Sequence, residues 1–177
     1  MNLESYRTDF EKATNRSISM PLAGALVWFV VGLISLKLDF KLSLYILLFS
    51  TGTIFPLALL ISKFRNEALI ESTNPLAKLM GLSIVMVNLL WGIHLPLVFS
   101  SPEFFPLSLG IGLGLHWVVY SWVVQHPLGI IHAVMRTVLV VAAWYLFPEY
   151  RIFVVSVAVV IAYSVSLILM LTRKINT

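Results

Sequence analysis

The chain has 177 residues, 59% of them apolar and only 11% charged, with a mean hydropathy of +0.95. A water-soluble domain carries about 25% charged residues, so this composition is that of an integral membrane protein. The absence of cysteine excludes disulfides, iron–sulfur clusters, thiolate metal ligands and thiol nucleophiles, and the net charge of +4 gathers at helix ends rather than on one face, which argues against nucleic-acid binding.

The first residues, MNLESYRTDFEKATNRS, are polar, and no short apolar core with a cleavage site follows them, so a removable signal peptide is not expected. Leu3, Tyr6, Phe10 and Ala13 recur at spacings of three and four. Residues 1–18 therefore read as a short amphipathic segment on the cytoplasmic membrane interface, the alternative being a frayed tail, since short isolated helices are marginal. Ser19 and Pro21 then predict a cap and first turn.

Six continuously apolar runs follow, at 20–36, 42–61, 79–99, 104–124, 127–147 and 152–171. A bilayer core about 30 Å thick requires about 20 apolar residues per helix, and strands of a barrel would alternate apolar with polar. The predicted fold is all-α: a single polytopic transmembrane domain over 1–177, a compact bundle of six helices with a short interfacial helix at the N-terminus. Pro56 and Pro96 lie four residues after Gly52 and Gly92 and predict kinks there. The carbonyls so freed are either re-satisfied by neighbouring helices or open to a ligand. Pro21-Leu22 and Pro106-Leu107 hint at an inverted repeat, but the two halves do not otherwise align.

Basic residues fix the expected orientation. Arg7, Lys12, Arg16, Lys63, Arg65, Lys78, Arg173 and Lys174 flank the helices on the side of the termini, against Lys37, Lys41 and Arg151 on the other. The positive-inside rule places both termini in the cytoplasm.

Polar groups inside hydrocarbon are costly and mark sites. His116 and Tyr120 are four apart on the fourth helix, and His132 and Arg136 four apart on the fifth, so each pair shares a face. The connection is only Gln125-His126, which makes the two helices antiparallel neighbours. At about 1.5 Å per residue, His116 and Arg136 lie about 12–14 Å deep, and Tyr120 and His132 about 6–8 Å. A polar ladder is expected, with Asn88 of the third helix joining its upper rung.

Arg136 cannot discharge by losing its proton, and none of the six helices contains an Asp or Glu. Its acceptor would be a freed carbonyl, a tyrosine, a bound anion, or Glu67 or Glu71 folding inward from a loop. A simple structural lock is the competing role. No metal or cofactor is expected: a haem or zinc reading of the histidines fails because only His116 and His132 share a level, beside a cation, while His94 lies far from His132 in depth. Gly110, Gly114 and Ser121 form a small-residue ridge suited to packing within the chain or to an oligomer contact. Trp144 and Tyr145 suit a membrane interface, and Trp91 and Trp117 the core.

The segments HLPLVF (94–99), GLGLHWVVYSW (112–122) and HPLGIIHAVMRT (126–137) resemble an uncharacterised family of small bacterial inner-membrane proteins. The resemblance implies a compact bundle in the bacterial inner membrane and no particular activity. The leading expectation is a small membrane transporter or ligand-binding protein for an anionic or polar small molecule. Its site would lie among helices three to five, with Arg136, His132, His116, Tyr120 and Asn88 as ligand contacts. A chain this small would transport more readily as a homodimer. The alternatives are an embedded enzyme acting on a lipid or amphiphile, with His116 or His132 as base and Arg136 holding a phosphate or carboxylate, and a non-catalytic accessory subunit.

Overall fold

The computed structural model describes residues 2–69 and 73–174. These form helices and connecting turns with no strand among them, and six helical segments are long and apolar enough to cross a membrane. The protein is an all-α, multi-pass membrane bundle.

Helix α1 (Leu3–Thr14) begins at Asn2, whose side chain accepts the Ser5 N–H at 2.9 Å. A single 3-10 turn, Asn15–Ser17, reverses the chain with three successive left-handed residues, φ 41°, 72° and 56°. The first span is α2 (Ser19–Ser35). Ser19 does not cap it: the Ser19 N–H donates instead to Glu67 Oε2 at 2.8 Å, so the cap is a carboxylate from a distant loop. The second span comprises α3 (Phe40–Ser50), capped by Asp39, and α4 (Ile54–Arg65). The third comprises α5 (Pro75–Leu89), capped by Asn74, and α6 (Trp91–Ser100). The fourth comprises α7 (Phe105–Gly112) and α8 (Trp117–Val123). The fifth is α9 (Leu128–Leu146) and the sixth α10 (Arg151–Thr172).

Spans two, three and four are each interrupted. Pro56 falls in the first turn of α4, where a missing N–H is harmless, and the chain before it tightens into a 3-10 turn at Thr51–Thr53. Pro96 stays inside α6, and the break lies upstream at Leu90, whose N–H reaches back only to the Val87 carbonyl. The fourth span breaks at Leu113–His116 without a proline. Gly110, Gly112 and Gly114 weaken the helix there, and the bonds shorten by one residue: Gly114 N–H to Ile111 O at 2.9 Å, Leu115 N–H to Gly112 O at 3.2 Å.

Packing is uneven. Helix α10 lies against α2 and α9, and α9 also packs on α7 and α8. Helices approach closely where side chains vanish: a Cβ on Gly24 would fall 2.7 Å from the Tyr163 ring, and one on Gly110 3.0 Å from Val155. A Cβ on Gly129 would overlap the Trp117 carbonyl oxygen. The small-residue ridge of the fourth span thus packs within the chain, Gly110 on Val140 and Val155, Gly114 on the Arg136 stem, Ser121 beside Gly129. Spans two and three are peripheral, only 22% buried against 50% for spans one and four, and present Phe49, Phe64, Leu82, Leu89 and Phe99 outward, as a lipid-facing surface does.

Far from being frayed, α1 is tied down. Glu11 and Arg173 form an ion pair at 2.6 Å, and Arg16 Nη1 donates to the carbonyls of Met170 and Arg173 at 2.6 and 2.9 Å. The Ala68 N–H donates to Ala13 O, and Asn74 Nδ2 to Tyr6 O. Burial opposes the charge on Arg173, but Glu11 and Tyr120 outweigh it and hold its pKa above the ordinary value. Trp144, near the end of α9, is buried against protein: its indole N–H donates to the Glu103 carbonyl, and the Arg151 guanidinium sits 4.2 Å from its ring.

Candidate functional site

The break in the fourth span creates the centre of the site. Because the Gly114 N–H bonds Ile111, the Gly110 carbonyl is released from its helical partner, and Arg136 Nε donates to it at 2.5 Å. Arg136 is fully buried. Its stem lies where a Cβ on Gly114 would be, 2.8 Å from Cδ, so a larger residue there would displace it. The guanidinium carbon sits 5.2 Å from the Tyr163 ring and 5.8 Å from that of Trp28, within cation–π range. Among the described residues neither Nη1 nor Nη2 has an acceptor. Glu67 does fold inward from its loop, but it binds Arg65 and the Ser19 N–H. Glu71 lies outside the described residues.

His132, one turn earlier on α9, is equally buried. Its Nδ1 lies 2.8 Å from Ser166 Oγ, and that hydroxyl donates its one hydrogen to Ala162 O. Nδ1 therefore carries the proton, and Nε2 has no protein partner. Trp117 stacks on the imidazole, centroids 4.0 Å apart and planes 17° apart.

The other rung faces differently. His116 and Tyr120 line a cavity of about 430 Å³ bounded by α1, α5, α8 and the end of α10. Its wall is mainly apolar, including Phe10, Met80 and Met170, with Thr14, Ser17 and Lys78 as further polar members. Phe55 and Ile84 line it and are exposed, which puts an opening between spans two and three. The Tyr120 hydroxyl donates to the Arg16 carbonyl at 3.3 Å, linking the cavity wall to the left-handed turn after α1. His116 Nδ1 is buried with no hydrogen-bond partner of ordinary geometry.

The four residues of the expected ladder thus divide into two layers. His116 and Tyr120 face the cavity, whereas His132 and Arg136 turn toward α2 and α10, with Trp117 between His132 and the cavity. Asn88 does not join them: it is exposed. Helix α5 buries only the stripe Leu76, Ser83 and Val87, and Asn88, one residue beyond Val87, is rotated about 100° away from it. Trp28, Tyr163, Ser166 and Gly110 are members that the ladder lacks. A further polar pair lies on the other side of the fourth span, where His94 Nδ1 is 2.9 Å from Ser108 Oγ. Among the described residues no three His, Asp or Glu side chains gather to hold a metal ion.

The chain belongs to the DUF7010 family, a family of unknown function, which it matches over residues 3–173. The match agrees with the resemblance to a family without assigned activity drawn from residues 94–99, 112–122 and 126–137. No curated protein and no solved structure matches the chain.

Proposed function

We propose that this DUF7010 protein is a ligand-binding membrane protein of the transporter kind, taking an amphiphile with an anionic or strongly polar head from the cytoplasmic leaflet into the cavity beneath α1. The observation that carries the reading is a fully buried guanidinium with two terminal nitrogens lacking a protein acceptor, in the layer behind an apolar cavity whose wall holds His116 and Trp117 but not Arg136 itself. A buried cation of this kind favours an anion within reach. An apolar wall with a few convergent polar groups suits a ligand that is itself mostly apolar. The interrupted fourth span supports transport, since discontinuous helices place binding sites near the bilayer midplane. The excess of basic residues beside α1 supports the cytoplasmic assignment.

The test compares wild type, Arg136→Met, Arg136→Lys and His116→Leu in lipid nanodiscs, by thermal unfolding with and without decanoate. Decanoate should stabilise the wild type by about 2.7 kcal/mol at a hundredfold excess over its dissociation constant. Arg136→Met should lose that gain, Arg136→Lys should keep part of it, and His116→Leu should reduce it. An unchanged decanoate gain in Arg136→Met, together with a uniformly lower baseline, would show Arg136 to be a structural lock and overturn the reading.

A further inference from the structure

We infer that a second binding station for the same amphiphile lies between α6 and α7, with His94 and Ser108 as its polar contacts. The inference rests on the function proposed above and adds to it a site, a ligand class and a route.

A cavity of about 340 Å³ lies there, walled by Leu, Ile and Phe side chains around His94, Ser108 and Gly112. His94 is 1% exposed. Its Nδ1 is held by Ser108 Oγ at 2.9 Å, while Nε2 has no protein partner and lies 3.0 Å from where a Cβ on Gly112 would stand. The imidazole thus packs directly on Gly112, where a side chain would force it to shift, at the edge of the cavity that both residues line. No charged side chain lines this cavity. An apolar wall with one imidazole–hydroxyl pair matches a long apolar body bearing one small hydrogen-bonding head. Combined with the cation behind His116, the ligand class is a single-chain weak acid. Its head binds at His94 as the protonated acid, donating to the unpartnered Nε2.

Position supports a route. His94 is six residues from Ser100, and Ser108 six from Pro102, so both lie about 9 Å along their helices from the face opposite the termini. The cavity beneath α1 lies toward the other face. The two meet the same interrupted stretch of the fourth span: Ile111, Gly112 and Leu115 line one, His116, Trp117 and Tyr120 the other. The shortened 3-10 bonds of Leu113–His116 are the partition between them. Interrupted helices of this kind line cavities and binding sites in transporters.

The experiment uses a fatty acid carrying an alkyl diazirine, incorporated into nanodiscs with the full chain and photolysed with or without excess decanoate. Adducts are mapped by peptide mass spectrometry. Decanoate-competed adducts are expected on both α5–α8 and α6–α7 residues. His94→Leu should reduce the α6–α7 adducts at least fivefold and Ser108→Ala at least twofold, with the adducts around His116 retained in both. Arg136→Met should show the opposite pattern. If only adducts around His116 are competed, or if α6–α7 labelling is unchanged in both variants, the second station is overturned while the first reading stands. If methyl decanoate competes at α6–α7 as well as decanoate does, recognition of an acid there is overturned. If no adduct is competed anywhere, the proposed function fails and the second station with it.

Discussion

Spans one, five and six are uninterrupted helices, and spans two, three and four are each broken. The two groups surround their polar side chains differently. Within the continuous group, α2, α9 and α10 approach closely at glycines and small residues, and His132 is locked by Ser166 on one side and by the Trp117 ring on another. In the broken group cavities lie beside the imidazoles, His116 in one and His94 in the other, although His132 shares with them a ring nitrogen that has no protein partner. Yet neither group is self-sufficient. Arg136 belongs to a continuous helix and is held by a carbonyl that only a broken helix releases. An interruption in one element is therefore what makes a charge tolerable in its neighbour, because backbone oxygens inside a bilayer become available only where the helical ladder fails.

The sharpest way to break this division is Gly129→Val. Its branched side chain would overlap the Trp117 carbonyl, so α8 and α9 would separate; a loss of more than about 3 kcal/mol is expected, read as loss of folded protein in thermal unfolding or in size-exclusion profiles. Ser166→Ala acts inside the continuous group without a steric clash. It leaves the His132 Nδ1–H without its hydroxyl acceptor, at a cost of about 1–2 kcal/mol, and the altered Trp117 stack should change the intrinsic fluorescence. Asn88→Leu probes the peripheral group. Asn88 is exposed on a lipid-facing helix, so stability should stay within about 0.5 kcal/mol of wild type or rise, with decanoate binding unchanged; a loss of binding would place Asn88 in the site after all.

The bundle was legible in the sequence because the bilayer demands long apolar runs, and six of them stand in plain sequence. Approximate level along the helices was legible too. His116 with Arg136, and Tyr120 with His132, are each symmetric about the short turn at 125–126, whereas Arg136 in fact meets Gly110 and Gly114, and His132 meets Trp117, a shift of about one turn. Rotation about the helix axis was not, because a short connection fixes which helices are neighbours but not which face each presents. That is why His132 and Arg136 address Trp28, Tyr163 and Ser166 on spans far away in sequence. The same depth symmetry pairs His94 with Ser108 about the turn at Ser101, a signal lost when His94 is compared only with His132. The break at Leu113–His116 also carried a signal in three glycines at alternate positions, although a small-residue ridge reads first as a packing surface.

The docking of α1 has a consequence for how the molecule is made. Its anchors fall in two groups: Ala68 and Asn74, in the loop between the second and third spans, and Met170 and Arg173, 154 to 162 residues away at the end of the sixth. During synthesis the N-terminal segment can therefore meet its first partners once the second span and its following loop have emerged, while the remaining bonds wait for the last residues of the sixth span. Completion of the last helix thus fastens a helix that is already placed: a chain that stalls before Arg173 lacks the Glu11 ion pair and one of the two carbonyls that hold Arg16.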